Sequence, residues 1–393
     1  MKKERSMRRN IRLFNIFLLF QDPLFWAPIL VLYVIEVGHM SLASFYLMEA
    51  IVIFGLVALE VPTGALADLI GRKKMILIGY GLTILGFIVF LSAYDPLMIW
   101  IGNIIWTIGF ACISGADTSL LFESMQNLDE SHLFKKVFGK AISRHMMLVS
   151  LGSLAGGFLY AIHPRLPMLL SLPGMIVAFT AVFLMKEPNG RGRCVLKEQL
   201  SLIRDSFAFV LRKRHLLWMI GFMVFIFAIG RVWFYTYNPY YEMTGLDVRW
   251  YGVLFFLSNV FAAITSNWAH EIEERIGEFA SLACMIALLS VPIFLMGTII
   301  ALPLVLATLL HSFIRGYERP FFDSFMHKHV VSKNRATVLS VQSAARGLIG
   351  ASALWIFGGL LALYPLPSLL QMVGVFVGIT GIFFLITYKK IFV

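Results

Sequence analysis

The stretch Glu60–Lys74 reads EVPTGALADLIGRKK: it leaves a long apolar run, passes a proline and a glycine, and sets one aspartate and three cations into a short turn. The composition says what solvent that turn is made for. Of 393 residues, 59% are hydrophobic and 14% are charged, against about 25% charged in a soluble domain. A chain this long and this apolar cannot hide itself in a water-facing core, so lipid is its solvent. The formal net charge of +11 would point to nucleic acid in a soluble protein. Here the cations fall between apolar runs, with no basic stretch interleaved with aromatics on a polar face, and nucleic acid is not an expected partner. Cys112, Cys194 and Cys284 are odd in number and far apart. They form neither a disulfide framework nor a zinc site, and no metal or cofactor is expected.

A bilayer core takes about 20 apolar residues per helix. Twelve candidate spans follow, at about 13–37, 41–67, 75–93, 97–124, 138–162, 166–185, 216–241, 249–269, 279–298, 300–325, 337–362 and 366–388. The first run follows the basic segment MKKERSMRRNIR; it is too long for a signal-peptide core and lacks a small-residue cleavage site, so it is expected to be retained. Connections on the N-terminal side of this map hold 25 of the 33 Lys and Arg residues, and the opposite side holds Arg165 and Arg249. The positive-inside rule then puts both termini in the cytoplasm and favours an even number of spans.

The longest connection, 186–215, divides the spans six and six. Three domains are therefore expected: a helical bundle over 1–185, a cytoplasmic linker over 186–215 and a second bundle over 216–393. In the linker, Leu196, Leu200, Ile203, Phe207 and Leu211 recur at helical spacing, which suits an amphipathic helix on the anionic leaflet. The halves echo each other. FESM at 122–125 matches FDSF at 322–325. An arginine expected to be buried follows in each next span, Arg144 and Arg346. A glycine pair comes twelve and thirteen residues later, Gly156 and Gly157, then Gly358 and Gly359. Such an internal repeat is common in transporter folds.

In the opening stretch, Gly64 and Gly71 permit close helix approach and a tight turn. Asp68 can accept from free backbone N–H groups or pair with a cation, and Arg72, Lys73 and Lys74 face the anionic leaflet. Gly64, Leu66, Asp68, Gly71, Arg72 and Lys73 resemble, in register, the signature loop G-x-L-a-D-x-x-G-R-K of the major facilitator superfamily. The resemblance extends over all twelve spans and the long central loop. It implies an all-α membrane protein of two six-helix bundles around one cavity, opened alternately to each side, with Asp68 and Arg72 latching the cytoplasmic side. HEIEERIG at 270–277 is similar to a degenerate copy, with Glu274 and Gly277 in the Asp and Gly places. Two departures weaken a likeness to the family's drug–proton antiporters: WTIGFACISG in span four has no arginine, and GSLAGG in span five has no proline.

Ionisable groups inside a span cost at least about 2.5–3.5 kcal/mol at the helix centre, so each needs a partner or a cavity. Asp117 and Arg144 reach similar depth in spans four and five, and Glu318 and Arg346 in spans ten and eleven. Two symmetry-related ion pairs are expected, either static within each bundle or part of a cytoplasmic gate, with Glu123 and Asp323 nearer the water. Arg315 and Arg319 leave other pairings with Glu318 open. Asp22, in LFQDPLFWAP, lies near mid-depth with no cation of its own span nearby. It is a candidate for proton coupling, a buried polar contact or substrate binding. Arg231 is a candidate for an anionic substrate group, for Asp22 or for another structural partner. Trp26, Tyr33 and Trp106, with the run VWFYTYNPYY at 232–241, form either an aromatic cavity wall or an interfacial belt. Glu36, His39 and Glu49 lie towards the outer side, as an outer gate or as solvated surface.

No phosphate-binding loop, metal cluster or nucleophile–base pair appears, so no enzyme is expected. The expectation is a monomeric, multi-pass secondary transporter of the bacterial plasma membrane, coupled to protons and exporting small organic molecules. Uptake of a small solute is the alternative, and a sensor or assembly partner without transport is another.

Overall fold

The computed structural model describes residues 2–188, 207–330 and 335–392. Among the described residues there is no strand, and the long elements are all helices. They are α1 (Lys2–Phe20), α2 (Leu30–Glu36), α3 (Leu42–Ile70), α4 (Arg72–Leu91), α5 (Pro96–Ile113), α6 (Ala116–Gln126), α7 (Phe134–Ile162), α8 (Leu166–Leu184), α9 (Arg214–Tyr235), α10 (Tyr237–Met243), α11 (Arg249–Thr298), α12 (Ala307–His329), α13 (Arg335–Leu361) and α14 (Leu366–Phe392). Most of the expected linker helix, with Cys194, lies outside the described residues.

Nine helical stretches among the described residues are long and apolar enough to cross a membrane. Three places separate this number from twelve. The first apolar run is divided between α1, whose N-terminal half carries cations, and the short α2. α11 runs 50 residues through two expected spans, with non-helical backbone at Gly277. α12 carries Arg315, Glu318, Arg319 and Asp323. Large apolar side chains stand open on the helices: Leu69 is 80% exposed and Ile379 65%. That pattern fits lipid rather than water.

The chain divides into two compact units, Met1–Met40 with Gly55–Gln199, and Ser41–Phe54 with Leu200–Val393. In the first, α1 packs on α8, α7 and α6, and α4 lies along α5. Phe14, Phe17, Tyr80 and Phe87 fill its core. In the second, α9 packs on α13, and α11 on α12 and α14. α9 has 72% of its apolar window buried, against 22–50% for the other spans, so it is the most enclosed of them. The first turns of α3 belong to the second unit through side-chain bonds: Tyr46 Oη donates to the Val232 carbonyl at 2.9 Å, and the Tyr46 ring packs 4.8 Å from Phe357.

Candidate functional site

The first span, expected as one run over 13–37, is interrupted around its prolines Pro23 and Pro28. α1 ends at Phe20, residues 21–26 are non-helical, and a single 3₁₀ turn at Ala27–Ile29 leads into α2. The backbone groups freed there find side chains. Tyr80 Oη of α4 lies 3.1 Å from the Phe20 carbonyl and 2.9 Å from that of Gln21, and Phe25 N–H donates to Ser171 Oγ of α8 at 3.3 Å. α7 makes room with glycine: a Cβ at Gly156 would stand 2.5 Å from the Phe25 carbonyl and 2.9 Å from Pro28. The break is therefore built into the fold, as in spans that line a cavity.

Asp22 sits in this break. Its Oδ2 lies 3.2 Å from His145 Nε2 of α7. The other ring nitrogen, Nδ1, faces the Leu19 carbonyl at 3.5 Å. A carbonyl only accepts, so Nδ1 carries hydrogen. Asp22 and His145 thus stand face to face at hydrogen-bonding distance, a carboxylate against an imidazole. Asp22 remains 40% exposed while His145 is 13% exposed, so the carboxylate is the reachable end of the pair. His145 was not among the sequence candidates. Its neighbour Arg144 was, and the helix presents that residue to the outside. Successive helix positions point about 100° apart, so only one of the two can face α1.

Trp26 stacks on Trp106 at 5.1 Å, beside Phe87 and Phe90. Both tryptophans stay partly open. Tyr33 is fully buried, stacked on Phe90 with its hydroxyl 2.9 Å from the Leu91 carbonyl, which makes it a packing residue. In the run 232–241, Trp233, Tyr235, Tyr237, Tyr240 and Tyr241 are buried, so these residues pack inward and do not form a lipid-facing belt.

The signature loop holds a charge cluster. Arg72 bonds Asp68 at 2.7 Å and Glu123 of α6 at 3.4 Å. α3 stays helical through Ile70, so Asp68 lies in its last turn and does not cap α4. Glu187 takes the cap: it accepts from Arg72 N–H at 2.6 Å and Lys73 N–H at 3.0 Å. Gly71 has φ 101°, and a Cβ there would stand 2.9 Å from the Glu187 carboxylate. The Lys73 ammonium lies 5.7 Å from the Phe183 ring. Residues of both segments, from Ala67 to Lys74 and from Phe183 to Pro188, line a cleft of about 950 Å³. Gly64 makes no close approach: a Cβ there would meet nothing within 4 Å.

The second unit repeats this design with the charges exchanged. Gly277 has φ 79°, like Gly71. The residue after it is Glu278, which bonds Lys328 of α12 at 2.9 Å, where Arg72 bonds Glu123. Lys328 also holds Glu273 at 2.7 Å, and the two carboxylates push its ammonium above the ordinary lysine range. The buried acid of HEIEERIG is thus Glu273; Glu274 is exposed and pairs with His270.

Of the two ion pairs expected inside the spans, one forms. Glu318 is buried against Arg346, whose guanidinium also stands 4.4 Å from the Phe227 ring. Asp117 pairs with no cation among the described residues. It lies in the first turn of α6, just after the break at Gly115, and accepts from Thr118 N–H at 2.6 Å. The N-terminal end of a helix stabilises a carboxylate without a counterion. Arg144 and Asp323 are exposed, with no ion pair among the described residues. Arg231 lies beside Tyr235, whose hydroxyl donates to Glu49 at 2.6 Å, so Glu49 is buried rather than solvated. Glu36 accepts from Tyr160 at 2.6 Å, and His39 is exposed in a positive-φ turn.

Comparison with known proteins fits this geometry. The family model described as Major Facilitator Superfamily matches residues 13–354. The MFS-type transporter YxaM of Bacillus subtilis (strain 168), itself uncharacterized, is 24% identical over 377 residues, which cover 93% of this chain and 92% of YxaM. Among solved structures, a D323A mutant of the nucleoside transporter NupG superimposes with a TM-score of 0.76 at 12% identity, over the whole of both chains. A POT family transporter in complex with 5-aminolevulinic acid gives 0.71 at 12% identity, over 98% of this chain and 96% of that one. These structures share the fold. With the family match over most of its length, the chain belongs to the Major Facilitator Superfamily and is a multi-pass membrane transporter rather than an enzyme.

Proposed function

We propose that this transporter is coupled to protons and that Asp22 and His145 carry the coupling proton. The observation that supports this reading is the 3.2 Å contact between Asp22 Oδ2 and His145 Nε2 at the break of the first span. A carboxylate that is reachable and a histidine that is enclosed form a proton store with one open end. Protonation at Asp22 removes the charge inside the span and with it the desolvation penalty on moving that region. A histidine exchanges protons near neutral pH, which suits that role.

In this reading the chain has twelve spans in two six-helix bundles, both termini are cytoplasmic, and the bundles open one cavity alternately to each side. The Asp68–Arg72–Glu123 cluster, with Gly71 and Lys73, acts as the cytoplasmic latch, and Glu187 secures it to the end of α8. Glu318 and Arg346 brace the second bundle. Trp26 and Trp106 offer a flat, apolar surface beside Asp22 to an organic substrate. Export across a bacterial plasma membrane is the proposed direction, in keeping with the compact, aromatic-rich form and the bacterial relative.

Purified protein in liposomes with a trapped pH-sensitive dye tests this. A panel of amphipathic cations, sugars and organic acids is added outside. At least one compound is expected to drive protons in the opposite direction to itself. Proton movement in the same direction would make the protein an importer, and silence across the panel would overturn coupled transport.

A further inference from the structure

Arg315 of α12 is the cation of the second unit whose environment the ion-pair networks leave unexplained. It is surrounded by protein at depth yet keeps part of its surface open. The nearest acid on its own helix, Glu318, is already held by Arg346. Arg231 has the Tyr235 and Glu49 cluster, and Lys328 has Glu273 and Glu278. Among the described residues, Arg315 makes no ion pair.

Its surroundings are nevertheless ordered. One guanidinium nitrogen donates to Asn259 Oδ1 of α11 at 2.6 Å. The guanidinium carbon lies 5.9 Å from the centre of the Phe234 ring of α9. Tyr237 and His311 stand close enough to feel its charge, but they are bonded to each other, and Tyr237 also reaches the Thr308 carbonyl at 3.3 Å. Three helices therefore hold the guanidinium in place with neutral groups only. A guanidinium has five N–H donors, and among the described residues one of them is engaged. An unpaired cation inside a span is disfavoured and marks a functional site by default. A planar fork with free donors matches a carboxylate or phosphoryl group through two parallel bonds.

We propose that Arg315 anchors the oxyanion of a small organic acid, with the carbon framework of that ligand against Phe234 and Asn259 fixing the orientation of the guanidinium. This substrate class rests on the transport reading above, but the site binds at equilibrium and needs no gradient.

The test uses the full-length protein purified in detergent and four one-ring probes: benzoate, phenyl phosphate, benzyl alcohol and benzyltrimethylammonium. Thermal unfolding midpoints are read at concentrations up to about 10 mM, since a ligand that binds the folded state raises the midpoint. Benzoate or phenyl phosphate is expected to raise it, and the neutral and cationic probes are not. The stronger of the two anions names the oxyanion. R315Q is expected to weaken the anion effect roughly tenfold or more, and R319Q, at an exposed arginine of the same helix, to leave it intact, which separates this site from a general loss of positive charge. Should R315Q fail to fold, R315K and F234L serve: the first loses the planar fork and the second the ring, and both are expected to weaken the anion effect. Equal shifts for all four probes, no anion shift in the wild type, or an unchanged anion shift in the Arg315 and Phe234 variants would overturn the proposal.

Discussion

Asp22 and His145 are 123 positions apart and meet because α7 turns one face towards the broken first span. If they share the coupling proton, His145→Gln keeps the carboxylate and removes the partner that titrates near neutrality. Transport is then expected to lose its dependence on pH between about 5 and 8, measured as initial rates in liposomes across that range; an unchanged profile would remove His145 from the path. Glu187 is a different kind of residue. Its carboxylate meets two N–H groups at the start of α4, where an anion is favoured. Glu187→Gln is expected to cost about 1 kcal/mol, read as a lower unfolding midpoint in detergent, and to loosen the signature loop against proteolysis. Neither partner was legible in the sequence. Asp22 stood out because an acid inside an apolar run is rare, whereas a histidine next to a more conspicuous arginine does not. Glu187 lies in a polar connection, where one acid among many cations carries no signal of what it caps.

The elements follow hydropathy closely, and their departures have local causes. The break at 21–26, inside a run read as one span, has its cause in Pro23 and Pro28, since proline withholds a donor and clashes with the preceding turn. No proline marks the break at Gly115, and SGADTS reads equally well as a helix interior. It changes the surroundings of Asp117, which becomes a first-turn acid bonded to the Thr118 N–H. The spacing that suggested Asp117 with Arg144 carried no information on helix rotation. Gly156 shows how the broken segment is received: G156V would press a side chain into the Phe25 carbonyl and Pro28. Overpacking of this kind costs about 1–3 kcal/mol. Reduced yield of folded protein is expected, with G139V as a control, since a Cβ at Gly139 meets nothing within 4 Å. Between α12 and α13, breaking the buried Glu318–Arg346 pair from one side is expected to cost about 3–5 kcal/mol, and replacing both with apolar residues much less. Unfolding midpoints of E318Q, R346M and E318L/R346M test this; equal losses in all three would show that the pair acts through packing alone.

On the scale of the molecule, the family was written in one loop and in composition. The Gly–Asp–Gly–Arg–Lys register of residues 64–73 and the apolar runs around it lead to the superfamily, and the match over residues 13–354 bears this out. The expected repeat is matched at one point, since the two loops share a positive-φ glycine, while the charge that follows it is basic in one unit and acidic in the other; Arg144 and Arg346 differ, the first exposed and the second held by Glu318. What the molecule moves is not written in the signature loop, which serves the scaffold. In the proposed reading it depends on side chains such as Asp22, His145 and Arg315, whose neighbours are distant in sequence.

The central claim, that Asp22 and His145 couple protons to transport, is tested most directly by separating exchange from accumulation. Liposomes carrying wild type or D22N are assayed with the same transported compound in two ways: counterflow between equal solutions at one pH, and net movement driven by an imposed pH gradient. The account predicts that D22N keeps counterflow and loses gradient-driven movement. A variant that still follows the pH gradient as the wild type does would contradict it.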